Sequence, residues 1–324
     1  MMIYDFDEYP VSDRNGSYGG KACYKEGILI NDEYWIIKYP QNTSNSIDLK
    51  DLSYSSTPES EFLGSQIYEL LGFPVHQTCL GIRNNHVVVA CKDFCDDNHK
   101  LIEFRQLKNT YNKVLSEKLE KSFSSTDSNH FVVLEGVLLH LDYNPSLQNI
   151  KGLKERFWDC VVIDGLINNN DRNNGNWGVL RGSEGDVLCP IFDNGASFSP
   201  NISESRIIHK LNNPDSLLTG VYDAVTTYSL DGKKNATFKE LIKLDNPELH
   251  EAIKRNVPLI KNKENEIYDL IDQIPETKKS YKIISPERKE VYKKEINVRL
   301  YNILLPEYER LIVKDKHHDT GYER

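Results

Sequence analysis

One polar run constrains this chain more than any other feature: Asn168 to Trp177, which follows an apolar helical pattern and precedes a predicted strand. Within the run, Asp171 and Asn176 are separated by four residues. A phosphoryl-transfer catalytic loop needs this spacing, because its Asp accepts the proton of an acceptor hydroxyl and its Asn oxygen binds Mg²⁺. Taken alone, the run would indicate no more than an Asn-rich turn.

A second acidic residue supports the catalytic interpretation. Asp193 follows the short apolar stretch Pro190 to Phe192, and Gly195 comes two residues later. A carboxylate directly after a buried strand is typical of the metal-binding Asp of kinases, and Mg²⁺ prefers such oxygen ligands. Because the two motifs occur in this order and spacing, we favour a shared catalytic role over two unrelated turns. Asp171 is then the predicted base, and Asn176 and Asp193 are the predicted metal ligands.

The sequence pattern of residues 1–95, the first lobe, predicts a small antiparallel sheet with one helix packed on it. Two hairpins are expected, with strands over 28–30 and 34–38 in the first and over 78–82 and 86–91 in the second. The helix between them is predicted to have Thr57 as its N-cap and Pro58 as its first residue, and Gly72 follows its end.

The first lobe also offers a candidate phosphate-binding pair. Side-chain alternation along the strand places Ile36 and Lys38 on one face, so that the strand can present an apolar wall to adenine and an ammonium to phosphates. Glu61 lies off the apolar stripe of the helix and is the predicted partner of Lys38. Its competitor Glu59 is a first-turn residue, which we expect to interact with the helix dipole. A surface lysine and a solvated glutamate are the plainer alternatives.

Two further segments are predicted to bind the nucleotide through backbone groups. Glycines before the first hairpin let N–H groups approach phosphates closely, although the run is not a Walker A motif and a flexible turn is the alternative. The strand 86–91 leads into a polar link that is expected to act as a hinge and to bind the adenine edge. The candidate nucleotide-binding residues of these two segments are Gly16, Ser17, Tyr18, Gly19, Gly20, Lys21, Lys92 and Phe94.

From about residue 96 the chain is mostly helical. We therefore predict an α+β protein with two domains, a sheet-based lobe over 1–95 and a helical lobe over 96–324, with the polar motifs at an active-site cleft. The helix expected over 151–167 leads into the polar run, with Cys160, Ile163 and Ile167 on one face. Asp164 on this helix either supports the catalytic residues indirectly or faces solvent, and we expect the second.

Composition limits the classes of partner. Lys plus Arg number 40 and Asp plus Glu number 49, giving a formal charge of −9, which disfavours direct binding of nucleic acid. No stretch approaches the roughly 18 consecutive apolar residues of a membrane span, and no secretory signal is visible. The six cysteines include no CxxC pair and are expected to be reduced in a cytoplasmic protein. Translocation by a dedicated secretion system would leave no mark in such a sequence.

With these motifs in order, the chain resembles HipA-family protein kinases of the short type. The similarity spans roughly residues 16–200, and the two Asp-containing motifs are its most specific part. The matching segments are Gly16 to Gly20, Tyr34 to Lys38, Ser60 to Phe62, Val89 to Phe94, Phe157 to Asp159, Asp171 to Trp177, and Ile191 to Gly195.

The resemblance implies a bilobal protein-kinase-like fold and ATP- and Mg²⁺-dependent phosphorylation of Ser or Thr in a protein substrate. It implies that Lys38 holds phosphates, that Glu61 orients Lys38, and that Asp171 is the catalytic base. It also implies a toxin or effector role and a HipB-like antitoxin partner. The chain departs from the family at Asn173, where His is frequent.

Ser17 carries a separate hypothesis. A hydroxyl within a phosphate-binding loop lies near the γ-phosphate, so Ser17 is a candidate autophosphorylation site, as the resemblance also implies. A phosphate there would add negative charge and repel ATP. The alternative is a turn residue that makes local hydrogen bonds.

Two other functions stay open at this point. The run Asp171 to Asn176 also resembles the catalytic loop of phosphoinositide kinases, which suggests a lipid or small-molecule kinase. Against it, the sequence has no basic membrane-facing cluster. A pseudokinase that binds nucleotide as an interaction module is the third option.

Overall fold

The computed structural model describes residues 1–16, 24–43, 55–110, 112–122 and 131–321. The chain folds into two compact units of three segments each. The first unit comprises Met1–Asp96, Pro190–Leu218 and Lys263–Glu295, and the second comprises Asp97–Cys189, Thr219–Asn262 and Ile296–Arg324. The division into continuous lobes over 1–95 and 96–324 stays a prediction.

The described residues form short strands and longer helices. The strands are β1 Tyr4–Asp5, β2 Lys25–Ile30, β3 Glu33–Lys38, β4 Thr78–Arg83, β5 His86–Lys92, β6 Lys100–Glu103, β7 Val132–Val133, β8 Gly178–Gly182, β9 Gly185–Leu188, β10 Val225–Ser229, β11 Asn235–Thr237, β12 Thr277–Lys278 and β13 Tyr281–Lys282. The helices are α1 Thr57–Leu70, α2 Phe104–Leu107, α3 Lys113–Lys121, α4 Leu134–Tyr143, α5 Leu153–Ile167, α6 Glu204–Asn212, α7 Pro214–Tyr222, α8 Phe238–Leu241, α9 Pro247–Asn262, α10 Glu264–Asp272, α11 Pro286–Arg299 and α12 Leu305–Gly321, with a π-helical turn Leu300–Leu304 before the last.

The first unit is built around a five-stranded sheet in the order β1-β4-β5-β3-β2. Both predicted hairpins are present, because β2 pairs with β3 and β4 with β5 in antiparallel register. Their two-residue turns, Asn31-Asp32 and Asn84-Asn85, have positive φ at all four positions. Asn and Asp tolerate this left-handed conformation, which matches the twist of the flanking strands.

One face of this sheet carries an apolar core cluster. The side chains that form it are Phe6, Ile28, Trp35, Ile37, Tyr39, Val88 and Ala90. Alternation along β3 turns Trp35 and Ile37 towards this core, so that Ile36 and Lys38 lie on the opposite face. The core therefore fixes the face on which Lys38 is presented.

Helix α1 packs against the chain segment that follows Asp193. A Cβ added at Gly64 would lie 2.8 Å from the Asn194 Cβ, and one at Gly195 would lie 2.9 Å from the Thr57 Cγ2. Both distances are too short for a real Cβ atom, so glycine is required at both positions for this approach. The segment around Asp193 is thus held directly on the helix that carries Glu61.

The second unit is centred on α5, which packs along α9. Asp159 accepts hydrogen bonds from Arg255 Nη2 at 2.8 Å and Asn256 Nδ2 at 2.6 Å, and Trp158 Nε1 donates to Glu248 at 3.1 Å. The described residues of this unit also form two three-stranded sheets, β6-β8-β9 and β11-β10-β7. Among the described helices, none combines the length and apolar character that crossing a lipid bilayer requires.

Glu59 in the first turn of α1 is buried, and its Oε2 has no hydrogen-bond partner among the described residues. Burial raises the pKa of its carboxyl to about 7, although its own backbone N–H and the charge of Arg288 lower that pKa. Between pH 4.5 and 7 the folded state therefore binds more protons than the unfolded state, and its stability falls as the pH rises.

We predict that Glu59→Gln stabilises the protein at pH 8 by up to about 3 kcal/mol, because the penalty of ionising the buried carboxyl is removed. At about pH 4.5 the native chain and the variant should differ little. Urea unfolding at both pH values measures the effect, with Glu69→Gln at an exposed position of the same helix as the control. An equal fall in stability with pH in the native chain and Glu59→Gln would contradict the assignment.

Candidate active site

Lys38, the last residue of β3, is held between two carboxylates of the first unit. Its Nζ donates to Glu61 Oε2 at 2.7 Å and to Asp193 Oδ1 at 2.8 Å. Lys38 and Glu61 are buried, whereas the side chain of Asp193 is 36% exposed. The sequence predicted the pair Lys38 and Glu61, and the structure adds Asp193 to it.

The electrostatics of this cluster keep its buried members charged. Burial alone would lower the pKa of Lys38, but the negative charges of Asp193 and Glu61 outweigh it and raise the pKa well above its ordinary value. Burial would likewise raise the pKa of Glu61, but the charge of Lys38 and the hydrogen bond from His76 hold it below its ordinary range. The site therefore presents a fixed ammonium at neutral pH.

Asp193 occupies a tight bend. Its φ is +60°, a left-handed conformation that is uncommon for residues other than glycine. The chain reaches this bend through Ile191, which bridges Val75 and accepts a hydrogen bond from the His76 N–H at 3.0 Å. On the far side of the bend, the Asn194 N–H donates to Glu61 Oε1 at 2.8 Å. Contacts on both sides thus fix the Asp193 carboxylate.

In the second unit, three residues of the polar run form one hydrogen-bonded loop. Asn173 Nδ2 donates to Asp171 Oδ1 at 2.7 Å, and Asn176 Nδ2 donates to the Asp171 carbonyl at 2.5 Å. The backbone N–H of Asn176 donates to the Asn173 carbonyl at 3.0 Å. This geometry orients the Asp171 carboxylate, and Asn173 takes part although no role was predicted for it.

The loop is held from behind by a buried ion pair. Arg172 Nε and Nη2 donate to the two carboxylate oxygens of Asp164 at 2.9 and 3.0 Å, and Arg172 Nη1 donates to the Asn176 carbonyl at 3.2 Å. Asn169 Nδ2 also donates to Asp164 Oδ1 at 3.1 Å. The expectation that Asp164 faces solvent is wrong, because the residue is only 6% exposed.

The burial of Asp164 follows from its place on α5, for which the sequence pattern predicts a single apolar face. The second half of the helix is instead buried nearly all round, and Val161, Val162 and Leu166 flank Asp164. Such a pattern is a usable signal, since a helix that is apolar on every side is buried and any charge on it needs a partner. His76 gave no comparable signal, because it lies outside any periodic element.

Aromatic packing anchors the end of the loop. The Trp177 ring stacks on Phe104 with centroids 4.2 Å apart, and Phe157 of α5 lies 5.9 Å from it. The Phe104 N–H donates to the Trp177 carbonyl at 2.9 Å. The Phe157 motif of the sequence therefore has a structural role in supporting the loop.

The remaining predicted nucleotide-binding residues fall into two groups. Ile36 is half-buried on the Lys38 face, Lys92 Nζ donates to Glu33 at 2.6 Å, and Phe94 packs on Phe192 with centroids 5.6 Å apart. Gly16 has a φ of +86°. The other predicted residues of the glycine-rich run, Ser17, Tyr18, Gly19, Gly20 and Lys21, lie outside the described residues.

The predicted metal ligands suit Mg²⁺ by their chemistry. Asn176 uses its amide nitrogen to hold the Asp171 carbonyl, so its amide oxygen is the atom that can bind a metal. Asp193 engages Lys38 through Oδ1 and is partly exposed, so Oδ2 can bind a cation. Hard cations prefer such oxygens. Glu61, His76 and Cys91 also place ligand atoms within 4.8 Å of one another, but Glu61 and His76 are engaged in hydrogen bonds there.

We predict that Asp164→Asn lowers the free energy of unfolding by about 3–5 kcal/mol, because Arg172 stays buried without that carboxylate. Asp186→Asn is the matched control, since Asp186 makes a two-oxygen contact with the exposed Arg181. The control should cost less than about 1 kcal/mol. Urea unfolding measures both, and equal losses in the two variants would contradict a special role for Asp164.

Comparison with family models gives no match. A search of curated proteins finds the serine/threonine-protein kinase CtkA of Helicobacter pylori, which is 33% identical over 279 residues, covering 85% of this chain and 80% of the relative.

Two solved structures extend the comparison. The crystal structure of the Helicobacter pylori proinflammatory kinase CtkA matches with a TM-score of 0.82 and 29% identity, covering 96% of this chain and 98% of the other. The HipA, HipB and operator DNA complex of Shewanella oneidensis matches with a TM-score of 0.50 and 11% identity, covering 89% of this chain and 67% of the other. The second match shows likeness of fold alone. Together they confirm the predicted kinase-like fold of mixed α and β structure.

Proposed function

This chain belongs to the family of the serine/threonine-protein kinase CtkA, and from that premise we propose that it transfers the γ-phosphate of ATP to Ser or Thr hydroxyls of a protein, with Mg²⁺ as the metal. The observation that carries the proposal is the Lys38 ammonium, which is buried and shared by Glu61 and Asp193. A lysine held on a carboxylate from a neighbouring helix is the arrangement with which kinases bind ATP phosphates.

In this proposal Lys38 binds the phosphates of ATP and Glu61 fixes its position. Because the pKa of Lys38 is raised, the side chain carries its charge throughout the neutral pH range. A fixed positive charge in a buried site stabilises the negative charge of phosphates without reorganisation during the reaction.

Asp171 is the proposed catalytic base. Its carboxylate accepts the proton of the acceptor hydroxyl and aligns the oxygen with the γ-phosphorus, while Asn173 and Asn176 keep the loop in shape. Asn176 and Asp193 would hold Mg²⁺ through their side-chain oxygens. When bound, the metal would neutralise phosphate charge and favour one geometry of the triphosphate.

The nucleotide would be placed by the predicted hinge and glycine-rich run. We assign the adenine to the apolar side of Ile36 and to the backbone at Lys92 and Phe94, and the phosphates to the run that begins at Gly16. Ser17 is the proposed autophosphorylation site of this run. A toxin or effector role and a HipB-like partner stay predictions, since the likeness to HipA is one of fold.

We predict that Asp171→Asn lowers phosphate transfer by about 10²- to 10⁴-fold, because the general base is lost, while ATP affinity stays within about twofold. The assay uses γ-labelled ATP, Mg²⁺ and casein-like protein as acceptor, and calorimetry measures ATP binding. Asp269→Asn, at an exposed position of α10, is the matched control and should transfer at the native rate.

Several outcomes would contradict this proposal. Phosphate transfer at the native rate by Asp171→Asn would exclude Asp171 as the general base. Label on phosphoinositide vesicles but not on protein would indicate a lipid kinase, and ATP binding without transfer to any acceptor would indicate a nucleotide-binding module. Mass spectrometry of the labelled native chain locates autophosphorylation, and an unmodified Ser17 in the active enzyme would exclude that site.

A further inference from the structure

A buried network surrounds the carboxylate of Glu61 and extends beyond its pair with Lys38. Glu61 Oε2 accepts from Lys38 Nζ at 2.7 Å, whereas Oε1 accepts from the Asn194 N–H at 2.8 Å and contacts His76 Nε2 at 3.0 Å. Glu61 is fully buried and His76 is 6% exposed. Donors on both oxygens fix the carboxylate in one orientation.

The chemistry of the partners assigns the hydrogen between His76 and Glu61. An ionised carboxylate only accepts hydrogen bonds, and Glu61 stays ionised because its pKa is held low. His76 must therefore carry a hydrogen on Nε2 and donate it to Glu61. The same ring nitrogen lies 3.1 Å from Ser65 Oγ, which accepts from Asn194 Nδ2 at 3.0 Å.

The network closes a ring of contacts between the two carboxylates that hold Lys38. Lys38 Nζ bridges Glu61 and Asp193, and the residue after Asp193, Asn194, returns to Glu61 through its N–H. The backbone of His76 joins the same segment from the other side through the Ile191 carbonyl. A displacement of His76 or Asn194 would therefore move Glu61 and the Asp193 bend together.

Close packing keeps the network rigid. A Cβ at Gly64 would lie 3.0 Å from Ser197 Oγ, and one at Gly195 would lie 3.2 Å from Glu61 Oε2. Ser65 and Asn194 are fully buried. Hydrogen bonds in such a buried, closely packed setting are strong, and the loss of one leaves its partner unpaired.

We propose that His76 and Asn194 are positioning residues for phosphate transfer, which hold Glu61 on Lys38 and fix the bend that carries Asp193. This inference rests on the proposed function. The His76 side chain acts on the reaction through Glu61, the carboxylate that it contacts directly. The network couples the phosphate-binding lysine to the metal-binding carboxylate.

We expect His76→Leu to lower kcat by about tenfold to a hundredfold, because a small misplacement of a positioned group costs this much. His76→Gln should restore most of the rate, since its terminal amide nitrogen reaches the place of Nε2. In a Glu61→Ala background the same His76→Leu change should alter kcat by less than about twofold, because the group through which His76 acts is absent. The assay is transfer from γ-labelled ATP to protein.

The matched control is His250→Leu, which removes a partly buried histidine whose Nε2 contacts the Leu244 carbonyl in the second unit. It should lower the melting temperature but leave kcat near the native value. Equal losses of kcat for His76→Leu in the native and Glu61→Ala backgrounds would overturn the proposal, as would a folded His76→Leu with the native kcat.

If His76→Leu does not fold, His76→Gln and His76→Asn decide the question. The asparagine side chain is one methylene shorter than glutamine, so its amide nitrogen does not reach Glu61. We therefore expect a lower kcat for His76→Asn than for His76→Gln. Equal kcat values in the two variants would overturn the proposal. A native chain that transfers no phosphate contradicts the proposed function instead. The network is then tested by the affinity for Mg²⁺-bound ATP, which His76→Asn should lower about threefold to tenfold relative to His76→Gln, the equivalent of one hydrogen bond.

Discussion

The first unit depends on the ion pairs that the buried ammonium of Lys38 forms with Glu61 and Asp193. An ammonium taken out of water is costly unless charges and hydrogen bonds compensate it, and here Glu61 and Asp193 supply both. Other elements of the unit bring these three residues together. The apolar core sets the face of β3 that carries Lys38, helix α1 brings Glu61, and glycines at positions 64 and 195 allow the Asp193 segment to lie on that helix.

In the second unit, a buried ion pair fixes the conformation of a polar loop. Asp171, Asn173 and Asn176 must hold a defined shape although the loop has few apolar residues. The bidentate ion pair of Asp164 and Arg172 holds the loop in this conformation from its buried side. The ring of Trp177, stacked on Phe104, anchors the end of the loop. In each unit a buried charge pair therefore fixes residues that we assign to phosphate transfer.

Local rules explain which of these features were predictable. The hairpins follow from the pairs Asn31-Asp32 and Asn84-Asn85, whose side chains tolerate positive φ. Helix α1 begins at Thr57, one residue before the predicted start at Pro58, and Ser56 rather than Thr57 is its N-cap. The pairing of Lys38 with Glu61 was predicted because Glu61 lies off the apolar stripe of its helix and because kinases pair such a lysine with a glutamate. His76 was not found; its partners Glu61 and Ser65 lie on helix α1. Asp164 was expected to face solvent, although its partners Asn169 and Arg172 follow it closely in the sequence. The burial of Asp164 was missed because α5 was expected to bury one face only. His76 lies in the connection between α1 and β4, where no periodic sequence pattern predicts whether a side chain is buried.

The most direct test of the central claim is the Mg²⁺ dependence of ATP binding, measured by calorimetry for the native chain and for Asp193→Asn. The variant keeps an oxygen and the size of the side chain but removes the charge shared with Lys38. We expect Mg²⁺ to strengthen ATP binding by the native chain much more than binding by the variant, with both chains folded. An equal gain in the two would contradict the assignment of Asp193 as the metal-binding partner of Lys38.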